Sequence, residues 1–418
     1  MKKKLFILEL NEFNLDILKK YSNKFNLPNI KKIIQFNSTK TLTKDRYLGN
    51  NNQHGYLDPW SQWVSIHTGK PSKIHKIKNL GDIPKLKFKQ IWEKRKKEKF
   101  YIWGPMNASK RNSKNVKVFF PDPWVFSEKA YPTELNSLLS LIKHITKTRG
   151  KISKIKKIKN IIKIALKIKN LINYKQLFLF ISNLIKGNIR FGKKNLIFII
   201  AWEYISACIL INLIKNEKSF ISIFFLNALA HVQHHYWKKK YTTDEITYCL
   251  EFIDNILGEI FKVKNIELIV LNGLSQKNVE DQKLCLYEQK SHEKFLKQLN
   301  INFKKIEKLM TNDAFIFFKK KKELLKCNKI LSKIMHKNKR IFYTEIIDDK
   351  KLFYKTNFIK RINYADSLIY KSTKTKFLDH FSFITLRRGI HSNRGDILSQ
   401  NRYFPKIIMN HNFFKYIK

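Results

Sequence analysis

Six apolar runs of strand length punctuate the chain: KLFILEL (4–10), KFYIWG (99–104), VKVFF (116–120), SFISIFFLN (219–227), IELIVLN (266–272) and DAFIFF (313–318). They are continuous rather than alternating, as in strands buried on both faces, and stretches with apolar residues three and four apart separate most of them. Two of these stretches, LPNIKKIIQF (27–36) and DEITYCLEFIDNILGEIFKV (244–263), read as amphipathic helices, the second opened by Thr242 or Thr243 as N-cap. The alternation predicts an α/β fold with a mostly parallel sheet covered on both faces, in which ligands bind at the carboxyl ends of the strands. Three segments leave such strands carrying polar or histidine side chains: NEFN at 11, NALAHVQHHYW at 227 and NGLSQ at 272. They are expected to converge on one sheet edge.

Two further stretches break the pattern. Residues 149–175 hold eight lysines between 151 and 169 and no acid, while Ile155, Ile158, Ile162, Ala165, Ile168 and Ile172 keep helical spacing. Such a basic amphipathic helix either lies on an anionic membrane surface or packs on the core as a solvated insertion. NLIFIIAWEYISACILINLI (195–214) has the length of a bilayer span, but Glu203 sits near its middle and lysines flank both ends, so it is read as a buried helix. The whole chain is expected to be one domain over 1–418, with a basic helical insertion at 140–195.

Composition changes this picture in three places. Lys and Arg number 84 against 32 acids, a formal charge of +52 that would attract nucleic acid, anionic lipid or acidic glycan. Lys, Ile and Asn crowd the whole chain rather than one patch, and no basic-aromatic stacking platform is visible, so nucleic acid is not the expected partner. Cys208, Cys249, Cys285 and Cys327 form no CxxC pair, which argues against disulfides and thiolate metal sites and suits a reduced cytoplasmic compartment. The start, MKKKLFILELNEF, is basic, but Glu9 interrupts its apolar run too early for a secretory segment.

Candidate chemistry sits in three places. His231, His234 and His235 follow the run at 219–227, and on a helix His231 and His234 share a face that could meet one metal ion. RRGIHSNRGDI places His391 between Gly389 and Gly395, with Arg387, Arg388 and Arg394 as candidate anion-binding groups. In DPWSQWVSIHTG, Trp60, Trp63, Val64 and His67 have helical spacing behind Asp58 and Pro59. A short helix beginning near Pro59 would offer free N–H groups to an oxyanion, with Ser61 as nucleophile and Asp58 as ligand or base; two Trp pinning a core helix would give the same pattern.

In their order these pieces resemble the alkaline phosphatase superfamily, in particular its type I phosphodiesterase/nucleotide pyrophosphatase and sulfatase-like branches. The resemblance runs from residue 4 to about 397: strand 4–10, LPN at 27–29, then Trp63, Ser65, Thr68, Gly69, Pro71 and His75 in register, His234 with Trp237, and Gly389, His391 and Gly395. It implies a three-layer alkaline-phosphatase-like core and metal-assisted hydrolysis or transfer at a phosphoester or related anionic ester, of a glycan or lipid-linked glycan. It also implies a divalent metal, zinc being expected, as one or two ions. Departures are specific. Asn11 stands where the first metal Asp is expected, with Glu9 two residues earlier; Pro59 takes the nucleophile position, two residues before Ser61; Ala230 replaces an Asp beside His231; and Asn272-Gly273 replaces an Asp-His pair. The expected ligands are therefore Glu9, Asn11, His231, His234, Asn272 and His391. Because two adjacent divalent ions need several carboxylates, the alternative is a catalytically degenerate module that binds acidic glycan or membrane headgroups.

Overall fold

Five of the six apolar runs become strands of one sheet in the computed structural model, which describes residues 4–45, 57–147, 154–192, 195–309, 313–370 and 373–417. The sheet has eight strands: β1 (Lys4–Leu10), β2 (Asn37–Leu42), β3 (Phe100–Trp103), β4 (Val116–Phe120), β5 (Phe220–Leu226), β6 (Ile266–Leu271), β7 (Arg394–Ser399) and β8 (Ile407–Met409). Their order is β8-β2-β7-β6-β1-β5-β3-β4. β1 is parallel to both neighbours, Leu8 lying beside Phe224 of β5 and Val270 of β6. Only β7 runs against the rest, between β2 and β6. β2, β7 and β8 were not anticipated: β2 reads NSTKTL, and its buried positions are Thr39 and Thr41.

Alternation along β1 divides the core in two. Phe6, Leu8 and Leu10 face one apolar cluster and Leu5 and Ile7 the other, with helices over each. This is the three-layer α/β arrangement expected from the sequence. The first face carries α1 (Leu15–Lys24) and α2 (Pro28–Ile34), and the second carries α3 (Pro59–Thr68). Asn14 caps α1, its side chain accepting from the N–H groups of Asp16 and Ile17. Pro59 opens α3 and Gly69 closes it at φ +66°, where a Cβ would be strained.

The predicted insertion is three helices, α4 (Asn136–Lys147), α5 (Lys154–Ile168) and α6 (Tyr174–Phe191), followed by α7 (Asn195–Ile214), α8 (Ala228–Tyr236) and α9 (Asp244–Phe261). Residues 149–153 and the side chains of Ile155 and Ile158 lie outside the described residues. The stretch Leu196–Ile214 is long and apolar enough to cross a membrane, yet 72% of its apolar window is buried in the protein, against α6 and α9. Asp254 of α9 accepts from Asn29 Nδ2 at 2.9 Å and Ile30 N at 2.8 Å, which fixes α2 beside it. The four cysteines are free and buried.

The single-domain expectation did not separate residues 278–389, which form a compact unit of their own. Tyr287, Phe295, Phe342, Tyr354, Phe377 and Phe381 lie in its core. The DAFIFF run belongs here, in an antiparallel sheet of Phe342–Asp348, Lys351–Thr356, Asp313–Phe317 and Lys305–Lys308, rather than in the central sheet.

Candidate metal centre

The segments after β1, β5 and β6 meet at one edge, as their polar composition predicted. Asn11 N donates to Leu226 O at 2.9 Å and Glu12 N to Asn272 O at 3.1 Å, stitching the exit of β1 between its neighbours. Glu12 then adopts φ +57°, a left-handed conformation uncommon for a residue with a Cβ, and so leaves the in-out alternation of the strand. α8 starts directly after β5. The N–H groups of Asn227 and Ala228 at its start donate to the Glu203 carboxylate of α7 at 2.5 and 2.8 Å. Burial raises the Glu203 pKa to about 8, against those two bonds. The acid in the middle of the apolar helix thus seats the helix that carries the histidines.

Glu12, His234 and His391 form the cluster. Glu12 Oε2 lies 3.1 Å from His234 Nε2 and 3.3 Å from His391 Nε2, and the two rings meet edge to face at 5.2 Å. Gln276 Nε2 donates to the same Oε2 at 2.7 Å, and Asn11 Nδ2 to Oε1 at 3.2 Å. Gln233 Nε2 holds the Glu12 carbonyl at 2.8 Å. The Glu12 side chain is 2% exposed, His391 9% and His234 14%, so the cluster opens on the histidine side. Leu57 O lies 2.9 Å from His391 Nδ1 and accepts its proton, with Asp58 Oδ1 at 3.3 Å, so Nε2 is the nitrogen turned to Glu12.

The cluster stabilises positive charge beside Glu12. Burial would raise the Glu12 pKa, but His391 and His234 hold it well below the usual carboxylate range. Burial likewise opposes charge on His391, yet Glu12 and Asp58 lift it to about 10. An imidazolium is thereby stabilised where a metal ion would also be stabilised. The donor atoms of the three residues all lie within 4.8 Å of one another. One carboxylate and two imidazoles suit zinc, and donors bound at 2.0–2.1 Å in a tetrahedron stand roughly 3.3 Å apart, close to the two separations seen here. The residues fit a single divalent ion.

Glu12 was missed by the sequence reading, although it is the one acid in the polar run after β1. The other expected ligands lie nearby in supporting roles or elsewhere. Asn11 is buried, accepting from Trp63 Nε1 at 2.8 Å and donating to Asn227 Oδ1 at 2.7 Å. Asn227 Nδ2 lies 3.2 Å from His231 Nε2 and donates to it, and burial with neighbouring His234 lowers His231 to about 4, a neutral ring outside the cluster. Asn272 spends its amide on Phe13 O and the Asp396 N–H, and Gly395 permits this approach, since a Cβ there would stand 2.4 Å from Asn272 Oδ1. Glu9 points to the opposite sheet face, where its Oε1 lies 2.7 Å from His67 Nε2 with both side chains fully buried.

The expected nucleophile is also elsewhere. Ser61 is fully buried and its hydroxyl donates to Ile77 O at 2.5 Å, while the N–H groups of Ser61 and Gln62 return to Asp58 O rather than facing an oxyanion. His75 Nδ1 accepts from Ile77 N, so Nε2 donates to Ser65 Oγ at 2.9 Å, and burial lowers its pKa to about 4. The Asp58 carboxylate makes no cap bond to α3 and stands by His391 instead. Of the expected anion-binding arginines, Arg394 is exposed at the start of β7. Arg387 and Arg388 belong to residues 278–389, where Arg388 pairs with Glu280.

No protein-family model and no curated protein sequence matches the chain. Among solved structures it is similar to phosphonoacetate hydrolase from Sinorhizobium meliloti, at 11% identity and TM-score 0.42 over 99% of this chain and 94% of the other. Human ectonucleotide pyrophosphatase/phosphodiesterase 5 matches at 11% identity and TM-score 0.44, again over 99% and 94%. Alkaline phosphatase from the Antarctic bacterium TAB5 matches at 12% identity and TM-score 0.37 over 100% and 97%. These are similarities of chain path, and the chemistry of this chain is argued from Glu12, His234 and His391 themselves.

Proposed function

We propose that the chain is a metal-assisted hydrolase or transferase acting on a phosphoester or related anionic ester. The observation that carries this reading is the convergence of His234 and His391 on one buried carboxylate oxygen, that of Glu12, at the carboxyl edge of a parallel sheet. Glu12 Oε2, His234 Nε2 and His391 Nε2 would hold one divalent ion, with zinc the metal their donor set suits. When bound, such an ion supplies Lewis-acid polarisation of an ester oxygen. Leu57 O and Asp58 position His391, while Gln276 and Asn11 position Glu12. With Ser61 committed to Ile77 O, the attacking group is water or an acceptor hydroxyl delivered by the substrate. The substrate we propose is a glycan or lipid-linked glycan ester met in the cytoplasm at the membrane surface, whose anionic group the net charge of +52 would attract.

A second reading has one observation behind it. Glu12 is the single carboxylate of the cluster, and amides stand at Asn11 and Asn272. A site so short of anions suits a module that binds an anionic ligand without turning it over. The test measures hydrolysis of aryl phosphate, bis-aryl phosphate and aryl sulfate by chelator-treated protein resupplied with zinc, manganese or magnesium. Metal-dependent turnover that His391→Ala abolishes supports the enzyme. Metal binding with no turnover of any substrate supports the binding module and sinks the hydrolase.

A further inference from the structure

α6 (Tyr174–Phe191) carries apolar side chains on its buried side and again along an exposed stripe, a wider apolar arc than its own packing uses. Its inner side is covered. Phe180, Leu184 and Gly187 are buried, and a Cβ at Gly187 would stand 2.6 Å from both Ile197 and the Tyr248 hydroxyl, so glycine is what lets α6 lie against α7 and α9. Tyr248 donates to Asn183 O at 3.0 Å, and Asn212 of α7 reaches Leu171 O at 3.0 Å and Gln176 Oε1 at 3.1 Å, tying down the turn that enters α6.

The outer side of α6 faces solvent with Tyr174 (78% exposed), Phe178 (69%), Ile181 (38%), Ile185 (56%) and Ile189 (80%). Their spacing is i, i+4, i+7, i+11 and i+15, a single stripe about 22 Å long. Ile162 (53%) and Leu166 (60%) add a second exposed pair one turn apart on α5. Scattered surface apolars need no explanation, whereas a continuous stripe marks an interaction surface.

Charge identifies the occupant. From Leu135 to Trp202 the sequence has no Asp or Glu and sixteen Lys or Arg. Lys175 and Lys186 on α6, Lys159, Lys163 and Lys167 on α5, and Lys169 in the turn after it are all exposed. Two copies of this face would oppose cation to cation, which disfavours self-association. A bilayer with anionic headgroups offers hydrocarbon for the stripe and negative charge for the lysines together. We propose that the outer face of α6, together with the exposed lysines of α5 and α6, docks the protein onto an anionic phospholipid surface. The sequence left the basic stretch 149–175 open between an anionic membrane surface and a solvated insertion; the exposed apolar stripe lies on the helix that follows most of it.

The experiment is flotation with phosphatidylcholine vesicles, with and without phosphatidylglycerol, in EDTA, so that failure of the metal site and failure of this proposal are seen separately. The full chain should float with the phosphatidylglycerol vesicles, lose that binding in high salt, and lose roughly tenfold in affinity on the double change Phe178→Ser and Ile185→Ser. Since both side chains are exposed, circular dichroism and melting of that variant should match the wild type. Should it misfold, Lys163→Glu with Lys167→Glu provides the second arm and should weaken phosphatidylglycerol binding by a similar factor. The proposal is overturned if the wild type ignores anionic vesicles, if stripe and charge variants bind as well as the wild type, or if the stripe change dissolves a dimer that forms without lipid.

Discussion

Glu9 and Glu12 stand three residues apart at the end of one strand and finish in opposite environments. Glu9 is fully buried against the fully buried His67, whose ring sits 5.4 Å from Trp92, and on the same side of the sheet Ser61, Ser65 and His75 spend their polar atoms on one another and on the Ile77 backbone. Glu12 turns out of the strand and gathers His234, His391 and Gln276 on one oxygen, with the histidines partly open to solvent. The two regions contain the same residue types. What separates them is whether the donors point at one another or at a shared point that a ligand can take.

The sharpest break in that comparison is His67→Ala. It would leave the buried Glu9 side chain without its hydrogen-bond partner and open a cavity beside Trp92, and should cost about 3–5 kcal/mol in denaturant unfolding, with metal affinity unchanged among the molecules that remain folded. Replacing both partners by leucine should recover most of the loss.

Glu203→Gln comes next, and its effect depends on pH. With the Glu203 pKa raised to about 8, the wild type is favoured by that proton below the unfolded carboxyl range near 4.5 and loses this contribution as pH rises to 8. Glutamine keeps the carbonyl acceptor for Asn227 and Ala228 but cannot ionise. The variant should unfold like the wild type at pH 4 and be more stable above pH 8, by a few kcal/mol at most. A variant that is equally destabilised at both pH values would contradict the seating role given to this acid.

Smaller effects sharpen the boundary of the cluster. Gln276→Ala removes a donor to Glu12 Oε2 and to Ala230 O and should weaken metal binding by ~10–100-fold in chelator competition, at a cost of about 1–3 kcal/mol in stability. Ser61→Ala should cost about 1 kcal/mol through the lost bond to Ile77 O and leave metal binding and any turnover intact. A large drop in turnover with normal stability would restore Ser61 as a nucleophile.

The fold was legible where strands are continuously apolar. β1, β3, β4, β5 and β6 could be placed from sequence, as could the helices at Pro28, Pro59 and Asp244. β2 escaped because its buried positions are threonines, so NSTKTL shows no apolar alternation, and β7 because an antiparallel strand returning between β2 and β6 leaves no periodic trace. At the site, His234 and His391 stood out by local density and glycine setting. Glu12 did not, because strand periodicity predicts the direction of residues 9 and 11 but not of a residue whose φ has crossed to +57°. The same limit misdirected attention to Glu9, whose side chain follows the strand rule to the other face.

Zinc titration of chelator-stripped protein by calorimetry, on the wild type beside Glu12→Gln and His391→Ala, bears most directly on the cluster. If Glu12, His234 and His391 hold one ion, the wild type takes up one equivalent and each variant loses more than ~100-fold in affinity, beyond what a supporting residue gives. Equal titrations for all three proteins, or no uptake by the wild type, would show that the histidines meet at Glu12 only to bury its charge.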